Sequence, residues 1–163
     1  MAHCVKYKTS SEKETKALAS KLAKAFLQKP SMGDKALVLA LAGELGSGKT
    51  TFAQGFALGL GIKEKITSPT FVILKKFKIP SYKLSTIYYQ LFYHIDAYRL
   101  QNSEDARVLG LKEILSCPTN IVLIEWPERL KGLLPRNAVQ IQLKYNQNSR
   151  KDTRTVTVFE TRK

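Results

Sequence analysis

The chain has 163 residues, 44% of them apolar and 25% charged, a composition that is usual for a soluble globular protein and predicts one domain over residues 1–163. No apolar run approaches the roughly 20 residues of a membrane-spanning helix, and two cysteines with two histidines exclude a disulfide framework and the usual zinc sites. The sequence therefore predicts a cytoplasmic protein, and its formal net charge of +14 indicates either polyanionic partners such as nucleic acid or simply a solvated, lysine-rich surface.

The N-terminal region predicts a short strand over residues 3–8 and then an amphipathic helix over residues 12–28. Ser11 and Glu14 have the spacing of a capping box, in which side chains and backbone groups close the first helical turn. Four apolar residues recur at helical spacing and are expected to face the core: Leu18, Leu22, Ala25 and Phe26.

The next segment carries the strongest chemical signal of the sequence. Residues 43–50 read Gly-Glu-Leu-Gly-Ser-Gly-Lys-Thr and match the phosphate-binding loop pattern G-x-x-x-x-G-K-S/T without a mismatch. A continuously apolar run, residues 36–42, precedes the loop, and a helical pattern, residues 49–60, follows it. In a strand, glycine loop and helix of this kind, backbone N–H groups and the helix N-terminus surround phosphate oxygens. The segment therefore predicts a nucleotide site for ATP and Mg²⁺.

Two residues of this loop have specific expected roles. Lys49 is expected to reach the β- and γ-phosphates, and the Thr50 hydroxyl is expected to bind Mg²⁺. The other loop residues expected to bind the nucleotide are Glu44, Leu45, Gly46, Ser47, Gly48 and Thr51. The alternative interpretation is a glycine-rich start of a helix with a solvated lysine, and the full match to the pattern between a strand and a helix favours the nucleotide site over it.

The segment after this helix leaves two interpretations open. Thr70 precedes a strand predicted over residues 71–77, at a position where nucleotide hydrolases often sense Mg²⁺ and the γ-phosphate, but an ordinary turn explains the pattern as well. Residues 76–90 mix basic and aromatic side chains without a clear period. They indicate either a hairpin with a long tip or a loop that becomes ordered on a partner.

Two further apolar runs each end in a carboxylate. Residues 91–96 end in Asp96, and residues 121–125 end in Glu125. Ligands of α/β sheets bind at the carboxyl ends of strands, so both acids are candidates for coordinating Mg²⁺ or positioning water. Such an acid can also be only an exposed strand end, but a phosphate-binding loop in the same chain favours a functional role.

The remaining elements complete a predicted fold. A short helical patch begins at Ser103, and residues 139–143 and 155–158 alternate in polarity around a polar turn at residues 146–150. This last pattern predicts a β-hairpin whose strands extend the sheet. The expected fold is α/β: a three-layer P-loop NTPase-like domain with a mostly parallel or mixed central sheet and a C-terminal β-hairpin.

Missing motifs narrow the class of P-loop protein. The sequence has neither D-x-x-G nor N-K-x-D, which guanine-specific G proteins use, and it has no ABC-type signature. It is too short for an AAA+ module with its lid. A small-molecule kinase remains an alternative, although arginines of the kind found in kinase lids are sparse before Arg99.

Five segments, in this order, resemble the bacterial TsaE (YjeE) ATPases over roughly residues 37–135. These are GELGSGKTTF at 43–52, SPTF at 68–71, HIDAYRL at 94–100, LGL at 109–111 and IEWPER at 124–129. The resemblance implies an ATPase of the threonylcarbamoyladenosine pathway, which modifies the adenosine beside the anticodon in tRNAs that read codons beginning with A. It also implies binding to the TsaD–TsaB transferase, whose turnover ATP hydrolysis supports.

Site roles follow from the same resemblance. Glu125, Lys49 and Asp96 become the expected catalytic residues, and Trp126 lies beside Glu125 at the nucleotide. The implied Mg²⁺ ligands are Thr50, Thr70, Asp96 and Glu125. Gln54 departs from the pattern because the family commonly has Arg there, and residues 76–90 are longer than expected.

The charge of the C-terminal tail supports a different partner. A basic cluster there would fit phosphate contacts with tRNA: Arg150, Lys151, Arg154, Arg162 and Lys163. Because the resemblance gives tRNA binding chiefly to the transferase, we expect an isolated monomer that binds tRNA only weakly. The alternative function is a nucleotide-gated module that binds tRNA or protein without essential hydrolysis.

Overall fold

The computed structural model describes residues 2–28, 34–67, 73–80, 89–101, 103–130, 132–146 and 153–161. The strands are β1 (Ala2–Thr9), β2 (Leu37–Ala42), β3 (Leu74–Lys78), β4 (Leu91–Asp96), β5 (Asn120–Glu125), β6 (Val139–Tyr145) and β7 (Arg154–Thr161). The helices are α1 (Glu12–Gln28), α2 (Lys49–Gly59), α3 (Ser103–Val108) and α4 (Leu111–Ser116), with 3₁₀ turns at Ala97–Arg99 and Pro127–Leu130.

These strands form one mixed sheet in the order β1-β7-β6-β2-β5-β4-β3. Its centre is parallel, because β2 pairs in parallel with both β5 and β6, and β4 pairs in parallel with β5. Both edges are antiparallel: β3 pairs with β4 on one side, and β7 pairs with β6 and β1 on the other. The predicted C-terminal hairpin is β6 and β7, and it extends the sheet as expected.

Helices cover both faces of the sheet, which confirms the predicted three-layer α/β fold. On one face, Leu39 and Leu41 of β2 lie in a core shared with α1 and α2. On the other face, Val38 lies in a second core with Leu111 and Leu115 of α4. Since β2 is buried on both sides, its sequence has to be apolar at every position rather than at alternate ones. Within the described ranges, no helix is long and apolar enough to cross a membrane.

Helix α1 has the predicted bounds, but the predicted buried stripe was partly wrong. Leu18 and Leu22 are only partly buried, and Ala25 is exposed. The residues that α1 buries are mostly small: Thr15, Ala19, Ala23 and Phe26. Hydropathy patterns give small residues such as Ala19 and Ala23 little weight, so the predicted stripe favours Leu18 and Leu22 beside them.

The neighbouring helix explains why small residues are needed there. At Gly55 of α2, an added Cβ would lie 2.3 Å from the Lys16 carbonyl oxygen of α1. At Gly59, one turn further along, it would lie 2.5 Å from the Ser20 carbonyl oxygen. Two backbones can approach this closely only where both helices carry small residues. This contact fixes α2, and with it the loop that precedes α2, against the rest of the domain.

The two strands that flank residues 79–90 form the base of a β-hairpin. Strands β3 and β4 pair antiparallel, with Lys78 opposite Leu91. This pairing confirms the hairpin interpretation for the ends of the segment 76–90. Residues 81–88 and 68–72 lie outside the described part of the chain, so the predictions for the hairpin tip and for Thr70 stay predictions.

The close helix contact can be tested by Gly55→Ala. We expect the free energy of unfolding to fall by about 1–3 kcal/mol, because the added methyl group overlaps the backbone of α1 although alanine is the better helix former. Urea denaturation measures the difference. Leu58→Ala, at a side chain of the same helix that is 59% exposed, is the matched control and should change the value by less than about 0.5 kcal/mol. Equal stability of Gly55→Ala and the unmodified protein would contradict the contact.

Candidate nucleotide-binding site

Parallel pairing places the predicted site residues at one edge of the sheet. Strands β2, β4, β5 and β6 all run in the same direction, so their carboxyl ends meet there. The glycine loop follows β2, while Asp96 ends β4 and Glu125 ends β5 directly opposite it in the register. Residues that are distant in sequence thus meet because of strand order alone.

A cavity of about 450 Å³ opens at this edge. Its lining includes the predicted residues Leu45, Gly46, Gly48, Lys49, Thr50, Thr51, Asp96, Glu125 and Trp126. It also includes three residues without a predicted role at the nucleotide: Glu12, Tyr98 and Arg154. Of the other predicted residues, Ser47 is buried within the loop, Glu44 contributes its carbonyl group to the loop, and Thr70 lies outside the described residues.

The backbone of the loop has the winding expected of a phosphate-binding loop. Gly46 and Gly48 adopt φ angles of 76° and 100°, which favour glycine because a side chain is strained there. Gly48 is the N-cap of α2. As a glycine, it has no side chain that could accept hydrogen bonds from the N–H groups of the first helical turn. Backbone N–H groups at such a helix start are suited to bind an anion.

Lys49 lines the cavity and is only 6% exposed. Its Nζ donates hydrogen bonds to the carbonyl oxygens of Gly43 at 2.7 Å and Glu44 at 2.8 Å. The same atom lies 4.1 Å from the centroid of the Trp126 ring. The loop and the end of β5 thus hold the ammonium group in place.

Negative charges around Lys49 offset part of the cost of burying it. Burial lowers the pKa of Lys49 from its ordinary value, and the negative charges of Glu125, Glu128 and Asp96 act in the opposite direction. An anionic ligand in the cavity would support the charged form of Lys49 in the same way as these carboxylates do.

Trp126 has an unusual backbone conformation. Its φ angle of 57° is the only positive value among non-glycine residues in the described part of the chain. For a bulky residue, such a conformation costs on the order of 1–3 kcal/mol. The turn brings its ring within 5.0 Å of the Tyr98 ring, centroid to centroid, and against Lys49. The aromatic wall of the cavity depends on this strained turn.

A buried hydrogen bond holds Glu125. His94 Nε2 lies 2.8 Å from Glu125 Oε1; His94 is fully buried and Glu125 is 2% exposed. His94 has no predicted role. Its position two residues before Asp96 could have indicated a role at the site, because alternate residues of a strand lie on the same face. With its proton on Nε2, His94 donates to the carboxylate and fixes its orientation.

Asp96 caps the turn that follows β4. Its Oδ1 accepts a hydrogen bond from the Tyr98 backbone N–H at 3.0 Å, and the residue is 5% exposed. Together with the Thr50 hydroxyl and Glu125, it gives the cavity hard oxygen donors, which suit Mg²⁺. Within the described ranges, His, Cys, Asp and Glu side chains form no group of three that could hold a metal by itself. A donor set of this kind fits an ion that takes its remaining ligands from phosphate and water.

Two residues have surroundings that the sequence did not predict. Gln54, which departs from the resemblance, donates through Nε2 to the Ile66 carbonyl oxygen at 3.0 Å and so ties α2 to the loop that follows it. Arg154, a member of the basic tail cluster in the sequence, is only 6% exposed and lines the cavity, so it is not part of an exposed basic surface. The other members of that cluster lie outside the described residues.

Comparison with known proteins agrees with the resemblance. The family model "Threonylcarbamoyl adenosine biosynthesis protein TsaE" matches residues 9–156. The tRNA threonylcarbamoyladenosine biosynthesis protein TsaE of Bacillus subtilis is 43% identical over 141 residues, which cover 86% of this chain and 77% of that protein. The protein of the same description from Haemophilus influenzae is 31% identical over 117 residues, or 72% and 68% of the two chains. The crystal structure of Bacillus subtilis YdiB matches with a TM-score of 0.67 and 29% identity, covering 98% of this chain and 87% of that one.

A double-mutant cycle tests the buried pair of His94 and Glu125. We expect His94→Leu to lower the free energy of unfolding by about 1–3 kcal/mol, because it leaves a buried carboxylate without its hydrogen-bond donor. Glu125→Met should also destabilise the protein, but the double variant should lose at least about 1 kcal/mol less than the sum of the two. Urea denaturation of the four proteins measures the coupling. Additive losses would show that the two side chains do not depend on each other.

Proposed function

The chain belongs to the TsaE family of threonylcarbamoyl adenosine biosynthesis proteins, and from that premise we propose that it is an ATPase whose nucleotide site is the cavity at Lys49. One observation carries this proposal. The glycine loop, a lysine and two carboxylates from three different strand ends converge on a single cavity of about 450 Å³. An arrangement of this kind is what phosphoryl chemistry requires, since it consists almost entirely of positioning and charge stabilisation.

Lys49 would bind the β- and γ-phosphates. In the structure its ammonium group already has two acceptors, the carbonyl oxygens of Gly43 and Glu44. Phosphate oxygens would replace at least one of these carbonyls, and charge-assisted hydrogen bonds are the stronger ones. Nucleotide binding would therefore shift the ammonium group from a carbonyl contact to phosphate contacts.

Thr50 and Asp96 are the residues that would hold Mg²⁺, with Glu125 next to them. When bound, Mg²⁺ would supply positive charge that offsets the negative charge of the phosphates. Thr50 directly follows Lys49 at the start of α2, and Asp96 ends the strand beside that of Glu125. Thr70 remains a predicted further ligand that would sense the γ-phosphate.

Glu125 would orient the attacking water. The hydrogen bond from His94 fixes one oxygen of its carboxylate, so that the side chain needs no ordering when the nucleotide binds. A residue that acts on water contributes mainly in the transition state. Its removal should therefore affect turnover much more than affinity.

We further propose that this ATPase supports the turnover of the TsaD–TsaB transferase, which modifies the adenosine beside the anticodon. The family description and the relatives' names support participation in this biosynthesis. Arg154, the one described member of the basic tail cluster, is buried and so would add little to a surface for tRNA.

A second candidate is a nucleotide-gated binding module in which hydrolysis is incidental. The observation in its favour is the burial of Glu125, which is 2% exposed and already bonded to His94. In such a module, the nucleotide would set a conformation that the transferase recognises. The two candidates differ in whether Glu125 is needed for tRNA modification.

Lys49→Ala tests the nucleotide site itself. Removal of the central cation should weaken Mg·ATP binding by at least about 100-fold and abolish hydrolysis, because several charge-assisted hydrogen bonds are lost. Isothermal titration calorimetry measures the affinity. Lys144→Ala, an exposed lysine of β6 outside the cavity, is the control and should bind like the unmodified protein. Unchanged ATP affinity in Lys49→Ala would refute the site.

Glu125→Gln separates hydrolysis from gating. The amide can still accept the hydrogen bond from His94, so nucleotide affinity should stay within about threefold while turnover falls by at least about 100-fold. Steady-state ATP hydrolysis with the TsaD–TsaB proteins measures turnover.

The same variant is then added to reconstituted tRNA threonylcarbamoylation. Under the proposed function, Glu125→Gln supports no more modification over many turnovers than a reaction without this chain. Full modification by the variant would favour the gated module instead, and equal modification with and without the unmodified chain would contradict both candidates.

A further inference from the structure

Arg154 lies at the same edge of the sheet as the predicted site, although it comes from the last strand. It begins β7 and pairs with Tyr145, the last residue of β6. Because β6 runs parallel to β2, this pair lies beside the glycine loop. Arg154 is 6% exposed, which is unusual for an arginine and shows that its position is defined by packing.

The Arg154 side chain packs directly on the glycine loop. A Cβ added at Gly48 would lie 2.8 Å from Arg154 Nε and 3.0 Å from Arg154 Cδ. On the other side, the guanidinium carbon lies 5.6 Å from the centroid of the Tyr145 ring. The guanidinium is therefore held at the N-cap of α2, where the loop is expected to bind phosphate. Gly48 permits this approach because it has no side chain.

Strand order puts Arg154 at the opposite end of the cavity from the acids. From β7, the sheet continues through β6 and β2 before it reaches β5 and β4. With about 4.8 Å between neighbouring strands, β7 lies about 14 Å from β5, which carries Glu125. Lys49 follows β2, between the two ends. The cavity thus has one end formed by Asp96 and Glu125 and another formed by Arg154.

We propose that Arg154 is a second phosphate-binding cation, which contacts the part of the nucleotide that ATP and ADP share. This inference rests on the proposed function, because it assumes that the cavity holds a nucleotide. The acids and Mg²⁺ ligands define the end where the γ-phosphate reacts, so Arg154 faces the α- and β-phosphates. A guanidinium suits this role because it can donate two parallel hydrogen bonds to phosphate oxygens and keeps its charge when buried.

This position has a kinetic consequence. A contact to the phosphates that do not react is equally strong in the ground state and the transition state, so it raises affinity without accelerating the chemical step. Arg154 should therefore act on KM and on the dissociation constants of ATP and ADP alike. A cation at the γ-phosphate would instead favour ATP over ADP and act on kcat.

The test compares Arg154→Ala, Arg154→Lys and the control Lys144→Ala with the unmodified protein. Calorimetry with Mg·ADP and Mg·ATP gives the affinities, and hydrolysis with the TsaD–TsaB proteins gives kcat and KM. We expect Arg154→Ala to weaken ADP and ATP binding equally, by about 10- to 100-fold, with kcat within about threefold. Arg154→Lys keeps the charge but not the planar fork, so its loss should be smaller. Lys144→Ala, an exposed lysine of the strand beside Arg154, should match the unmodified protein.

The outcomes distinguish this inference from the proposed function. If the unmodified protein binds no nucleotide, the proposed function fails and the inference fails with it. If the unmodified protein binds nucleotide and both Arg154 variants bind it equally well, only the inference is overturned. A loss confined to ATP, or a loss of kcat at unchanged affinity, would likewise overturn it. Thermal unfolding without nucleotide shows whether Arg154→Ala is folded. If it is not, the nucleotide affinity of Arg154→Lys tests the inference.

Discussion

Strand β2 pairs in parallel with β5 on one side and β6 on the other, and this pairing determines where the site residues lie. It buries β2 on both faces, so the strand has to be apolar throughout and polar groups can follow only at its end. Because the neighbouring strands run the same way, their terminal acids, Asp96 and Glu125, reach the edge where the glycine loop begins. The close contact between α1 and α2 then fixes the helix that follows the loop.

The cavity brings together charged side chains that are themselves largely buried, and these groups compensate one another. Lys49 has two carbonyl acceptors and an aromatic ring, and nearby carboxylates oppose the effect of burial on its pKa. Glu125 has His94 as its donor. Buried charges are tolerated only when they are paired and hydrogen-bonded in this way. The same arrangement would favour a nucleotide. Its negative phosphates would contact Lys49, and its Mg²⁺ would lie beside the carboxylates.

Much of this architecture could be predicted from local sequence patterns. The apolar runs and the glycine loop predict the central strands, α2 and the edge where the acids meet, since each pattern is short and contiguous. What the sequence did not predict depends on contacts between distant segments. Examples are the small-residue contact of α1 with Gly55, the pairing of His94 with Glu125, the positive φ of Trp126 and the packing of Arg154 on Gly48. No local periodicity encodes such contacts, and hydropathy favours large side chains over the small ones that permit them.

Trp126 offers the most direct measurement of the central claim, that the cavity binds Mg·ATP. It is the single tryptophan of the chain, and its ring lies 4.1 Å from Lys49 Nζ. Titration with Mg·ATP should change its fluorescence, with saturation at one nucleotide per chain, because phosphate binding moves the ammonium group relative to the ring. The change should require Mg²⁺ and should be lost on addition of EDTA. Emission that stays constant over the titration, or that responds to ATP identically with and without Mg²⁺, would contradict the account.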